Sequence, residues 1–168
     1  GEFKSAVSKM AFTDLAAQQV VIRELIDRAI AKVLTNGSYI MGPEVRELEE
    51  ELAHRAQRRH CVTCSSGTDA IQIALMALGV RPGDRVVVPD FTFAATAGAV
   101  ALVGAEPVFA DIDAVTYNLD PASAGKAWEL AGPPPVGIIA VDLFGHPAKC
   151  RELQKLANGH GAWLLVDG

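Results

Sequence analysis

Apolar positions recur at helical spacing in the first third of the chain and gather into short unbroken runs thereafter. Residues 14–34, DLAAQQVVIRELIDRAIAKVL, carry Val21, Leu25, Ile26, Ala29, Ile30 and Val33. The spacing predicts one amphipathic helix, with Asp14 placed to cap its start and Asn36-Gly37 placed to end it. GSYIMGP is a loop. PEVRELEEELAHRAQ then opens with Pro43 at a first helical position, where a missing N–H costs nothing, and continues with Val45, Leu48, Leu52 and Ala56. HCVTCSS predicts a short strand running into a turn.

From Gly67 onward strands alternate with helices. GTDAIQIALMALG is a helix stopped at Gly79, RPGD a turn, RVVVP an apolar strand and ATAGAVALVG a helix of small residues. EPVFADI is a strand, NLDPASAGKAWEL a loop and short helix, and AGPPP a turn. VGIIAVDLF is a strand, PAKCRELQKLANGHG a helix and AWLLVDG a last strand. Unbroken apolar strands between amphipathic helices predict an α/β fold: a mostly parallel sheet with helices on both faces. The chain stops on Asp167-Gly168, where such a strand normally leads into a covering helix. It therefore reads as the first part of a longer protein. Three segments are expected: a vector-derived leader over 1–9 with Met10 as the native start, an N-terminal helical segment over 10–60, and the first part of an α/β domain over 61–168.

Charge and composition change this picture little. Half of the 168 residues are hydrophobic and the formal net charge is −5. Arg55, Arg58 and Arg59 form the densest basic cluster, beside Glu49, Glu50 and Glu51, which argues against nucleic acid as a partner. No apolar run reaches the length of a membrane span, and GEFKSAVSK lacks the apolar core of a secretory signal, so a cytoplasmic location is expected. Cys61 and Cys64 form a C-x-x-C, but zinc would need a second ligand pair; with Cys150 they read as small buried hydrophobes, and no metal site is expected.

Candidate chemistry gathers where strands end. Ser65-Ser66-Gly67-Thr68-Asp69 lies between a predicted strand and a helix. Glycine permits close backbone approach, the first helical amides lack partners, and the helix dipole favours an anion such as phosphate. Ser66 and Thr68 can add hydroxyl donors, and either also serves as an ordinary N-cap. Phe91-Thr92-Phe93 follows RVVVP at an edge where α/β proteins bind ligands; a ring there can stack on a flat heteroaromatic or simply pack into the core. Asp167 ends an apolar strand, where a carboxylate needs a partner such as a protonated pyridine nitrogen, or else caps a following helix. Asp142 and His146 end a neighbouring strand at the same edge. A phosphate cradle, a stacking ring and a carboxylate together suggest a phosphorylated aromatic cofactor.

These residues sit in stretches that resemble the DegT–StrS sugar aminotransferases, pyridoxal-phosphate (PLP) enzymes of aspartate-aminotransferase fold type I. The resembling stretches are GSYIMGPEVRELEEELA, SSGTDAIQIALMALGVRPGDRVVVPDFTFAATAGAV, GAEPVFADIDAVTYNLDP, VDLFGHPA and HGAWLLVDG, in family order from about Phe12 to the last residue. The resemblance implies the large-domain fold of these transferases, incomplete at its C-terminus. It implies that Ser66, Gly67, Thr68 and Asp69 hold the PLP phosphate, that Phe93 stacks on the ring, and that Asp167 pairs with the pyridinium nitrogen. The family's Schiff-base lysine follows Asp167; Lys126, Lys149 and Lys155 match no family lysine, so the chain alone is expected to be inactive. Gly168 stands where alanine or cysteine is commoner.

The implied activity moves an amino group from glutamate to a keto group of a nucleotide-linked sugar, with the nearest likeness to enzymes acting on UDP-linked 3-oxo sugars of the acetamido-glucuronate type, in cell-surface polysaccharide or related amino-sugar biosynthesis. A homodimer is implied. A sugar dehydratase on the same scaffold, with histidine for the lysine, and a non-catalytic binding or regulatory relative are the alternatives. A Rossmann domain is the competitor at fold level, but no G-x-G-x-x-G is present.

Overall fold

The computed structural model describes residues 13–168. The proposed leader and the Met10 start lie outside the described residues. The chain divides into two compact units, Gly1–Thr63 and Cys64–Gly168.

In the first unit, α1 spans Leu15–Asn36 and α2 spans Pro43–Arg55. Asp14 caps α1 by accepting from the Ala17 amide at 2.9 Å. Gly37 ends it in the left-handed conformation, φ 66°, its amide returning to Val33 O. Pro43 begins α2, as its fixed φ favours. The expected strand at HCVTCSS does not form. Residues 60–64 are irregular and Val62 is exposed; the Thr63 amide and hydroxyl instead donate to Glu49 Oε1 at 2.8 and 2.9 Å. Polar groups satisfied by a side chain have no need of a ladder. Cys64 is correspondingly exposed rather than a buried hydrophobe, its thiol directed at Ser66 O.

The second unit opens with α3, Gly67–Ala77, followed by β1, Arg85–Pro89; α4, Ala95–Leu102; and β2, Glu106–Ala110. Then come α5, Pro121–Leu130; β3, Gly137–Val141; a single 3₁₀ turn, Leu143–Gly145; α6, Cys150–Gly159; and β4, Trp163–Asp167. The strands form one sheet of order β2-β1-β3-β4, and every pairing is parallel. The expected α/β architecture is what the chain adopts.

The pleat sends alternate side chains to opposite faces. Val87, Ile138 and Ala140 pack with Ala124, Trp128, Leu153 and Ala157 of α5 and α6. Val86, Val88 and Ile139 pack with Ile71, Leu75, Ala99 and Val100 of α3 and α4. All six strand residues are fully buried, which explains why β1 and β3 read as unbroken apolar runs. The chain leaves β1 for β2 on one side and returns to place β3 on the other. Such a reversal of strand order is where an open α/β sheet leaves a crevice at its carboxyl edge.

Candidate functional site

The segment entering α3 is set by local hydrogen bonding. Ser66 is extended, φ −158° and ψ 162°, and its Oγ accepts from the Asp69 amide at 3.1 Å. The Asp69 carboxylate accepts in turn from the Ser66 hydroxyl at 2.9 Å and, closely, from the Ser65 hydroxyl. These two hydroxyl bonds, that of Ser65 foremost, hold the Asp69 carboxyl below the usual range. With Asp69 thus engaged, the Gly67 and Thr68 amides remain as the helix-starting donors that have no intrahelical acceptor. A Cβ added at Gly67 would meet nothing within 4 Å, so the approach to those amides is open.

β1 delivers the second wall. The Asp90 amide closes the ladder onto Ala110 O at 3.0 Å, and the chain turns through Phe91-Thr92-Phe93 into α4. Phe93 is 78% exposed, so it is not a core residue. Thr96, one turn on, is buried, its hydroxyl 3.4 Å from that of Thr92.

β4 delivers the third. Asp167 lies opposite Val141 in the β3–β4 register, and its carbonyl accepts from the Asp142 amide at 2.7 Å. Its half-buried carboxyl is pushed above the usual range, first by loss of water and then by the negative charge of Asp142. Among the described residues no donor reaches that carboxylate.

These walls enclose one cleft of about 220 Å³, lined by Gly67, Thr68, Ile71, Phe93, Ala95, Thr96 and Asp167. Pockets for drug-sized ligands run from about 300 Å³ upward, so this one suits a compact molecule. Gly67, Thr68, Phe93 and Asp167 therefore come together. Ser66 and Asp69 do not line the cleft; they cap α3 and hold its first turn in place. Ile71, Ala95 and Thr96 also line it, and nothing in their residue type marks them for that place. Ile71 stands four residues after Gly67 and Thr96 three after Phe93, so helical spacing is the signal that points to them. His146, by contrast, lends its backbone carbonyl to the Asn118 side chain at 2.7 Å.

A larger groove, about 360 Å³, lies in the helical unit, lined by Ala29, Ile30, Val33, Leu34, Tyr39 and Glu44. Its one carboxylate is already 3.2 Å from Lys32 Nζ, and it offers no anion donor. Among the described residues no three metal-ligating side chains gather, and no helix is long and apolar enough to cross a membrane.

The sequence model of the DegT/DnrJ/EryC1/StrS aminotransferase family matches residues 20–168. The chain belongs to this family. It is 47% identical over 156 residues to UDP-2-acetamido-2-deoxy-3-oxo-D-glucuronate aminotransferase of Pseudomonas aeruginosa, an alignment covering 93% of this chain and 43% of that protein. The crystal structure of a DegT/DnrJ/EryC1/StrS aminotransferase from Brucella abortus superposes with a TM-score of 0.87 at 42% identity, over 94% of this chain and 43% of that one. NtdA of Bacillus subtilis, solved with bound cofactor PMP, superposes with a TM-score of 0.83 at 29% identity, over 99% and 38%. The chain thus spans less than half the length of the family members it matches, and its fold is that of the corresponding part of those aminotransferases.

Proposed function

We propose that the cleft binds PLP and its amino form PMP, and that a full-length protein carrying this sequence transfers an amino group from glutamate to the keto group of a nucleotide-linked sugar, most closely a UDP-linked 3-oxo sugar. The observation that carries the reading is the convergence of Gly67, Thr68, Phe93 and Asp167 on one small cleft. The residues present fit the group. The open amides of Gly67 and Thr68 suit a phosphate dianion. The exposed ring of Phe93 is free to stack on a pyridine. The unpartnered, half-buried Asp167 carboxylate suits a ring N–H⁺, which would relieve its desolvation.

When bound, this cofactor supplies an electron sink and a carrier for the amino group. The chain's part is to orient it. The α3 N-terminus fixes one end, Asp167 keeps the ring nitrogen protonated at the other, and Phe93 with Ile71, Ala95 and Thr96 keeps water from the face between. The resemblance to the P. aeruginosa enzyme supports the substrate class. A homodimer and a cytoplasmic location belong to the same proposal.

The test uses the full-length protein. It is expected to bind PMP, and when loaded to convert glutamate and a UDP-linked 3-oxo sugar to 2-oxoglutarate and the amino sugar. Asp167→Ala should weaken PMP retention and abolish turnover; Asp167→Asn should keep more of the binding than of the rate. Equal, near-parental rates in both variants would make Asp167 a structural residue and end the proposal. Water loss from a deoxysugar without net amino transfer would instead mark a dehydratase, and retained PMP binding without either reaction a regulatory relative.

A further inference from the structure

We propose that Asp142 is a positioning residue for Asp167: it fixes the peptide that carries Asp167 and sets a second carboxylate beside it. The inference rests on the cofactor reading above. Asp142 is the first residue after β3, as Asp167 is the last of β4, and the two are tied by the Asp142 amide donating to Asp167 O at 2.7 Å. The Asp142 side chain is itself held, because its Oδ1 accepts from the Ala148 amide at 2.8 Å. Its Oδ2 faces Gly168, where a Cβ would stand 3.2 Å away. The glycine that departs from the commoner alanine or cysteine is thus the residue that leaves this second carboxylate room.

A carboxylate placed this way has a charge role that its hydrogen bond alone does not need. Its neighbours bear this out. The other cleft-lining residues, from α3, the β1–α4 turn and α4, carry no titratable group. From α6, Cys150 faces Asp142, and burial first and that carboxylate second push its thiol up, so it adds no charge. Among the described residues, Asp142 is the charged group whose field acts on Asp167. Two anions at the tips of adjacent strands favour a cation between the cleft wall and Asp167. A bound pyridine nitrogen should keep its proton to higher pH than Asp167 alone would secure.

The readout is the ring nitrogen rather than turnover. PMP labelled with ¹⁵N in the ring is bound to the full-length protein, and the nitrogen shift is followed against pH. Asp142→Asn keeps an acceptor for Ala148 and removes the charge; Asp142→Ser removes the charge with less bulk. In both, PMP should still bind, and the deprotonation midpoint should fall by about one pH unit. Asp167→Asn should lower it further. Thermal melts of each variant separate loss of fold from loss of charge. An unchanged midpoint in whichever Asp142 variant folds and binds PMP overturns the inference while leaving the cofactor reading intact. Failure of the unmodified protein to bind PMP overturns the cofactor reading and this inference together; a bound nitrogen already unprotonated at neutral pH overturns the Asp167 pairing and this inference but not the binding.

Discussion

Gly137 of β3 lies opposite Trp163 of β4, and the Trp163 indole occupies the space that a Cβ on Gly137 would take. The glycine is required by close approach, since its backbone is ordinary extended strand. Gly137→Ala must displace a ring packed against the α3–α4 face of the sheet. The expected cost is about 1–3 kcal/mol of folding stability, read from the denaturant midpoint. Trp163→Leu in the same background should recover part of it. No loss in the single variant would show that the indole moves freely.

Asn118 joins two loops. Its side-chain oxygen accepts from the Leu143 amide at 3.0 Å, its nitrogen donates to His146 O at 2.7 Å, and the residue is 3% exposed. It thereby holds the turn containing Phe144, a non-glycine residue at φ 56°. Asn118→Ala strands two part-buried backbone groups, and the expected loss is about 1–2 kcal/mol. Hydrogen exchange at Leu143 should accelerate more than exchange in β1.

Acid should weaken the loop after β2 before the sheet itself. Asp113 accepts from the Val115 and Thr116 amides and lies 3.0 Å from Lys149 Nζ. The Val115 bond first, then Lys149, bring its pKa down to about 2. Because the folded value lies below the unfolded one, the contribution is whole above the ordinary carboxylate range and is lost as pH falls toward about 2. Asp113→Asn should flatten the stability profile between about pH 4 and 2. An unaltered slope there would count against the assignment.

The capping role given to Ser66 separates from a ligand role by measurement. Ser66→Ala removes the acceptor for the Asp69 amide and should cost about 1 kcal/mol of stability. Ser66→Asn, also a capping residue and uncharged, should restore stability. If it also restores PMP affinity in the full-length protein, the hydroxyl serves the helix; if affinity stays low, the hydroxyl itself reaches the ligand.

Strands covered on both faces are the elements most legible in the sequence. β1 and β3 announce themselves this way, since Val86, Val87 and Val88 are all buried. Asp14, Gly37 and Pro43 mark helix ends through chemistry confined to a few neighbouring residues. HCVTCSS misleads for the complementary reason. A strand is defined by a partner, and the Glu49 carboxylate that engages Thr63 instead is fourteen residues away. The same distance rule divides the site. Gly67 and Asp167 each stand out in their own local pattern, whereas the choice between ligand and cap at Ser66 and Asp69 depends on where their side chains turn. The pairing of Asp142 with Asp167 depends on strand order, which no local pattern contains.

The cleft draws Gly67 from the first helix of its unit and Asp167 from the last strand. Neither half means anything until the sheet between them is assembled, because β1 and β3 must both be seated before β4 can bring its tip into place. A molecule gripping both ends would act as a clasp across the whole unit. It would select chains that had finished folding and oppose unzipping of β4 from β3, so that occupancy of the pocket and retention of the native state would rise and fall together.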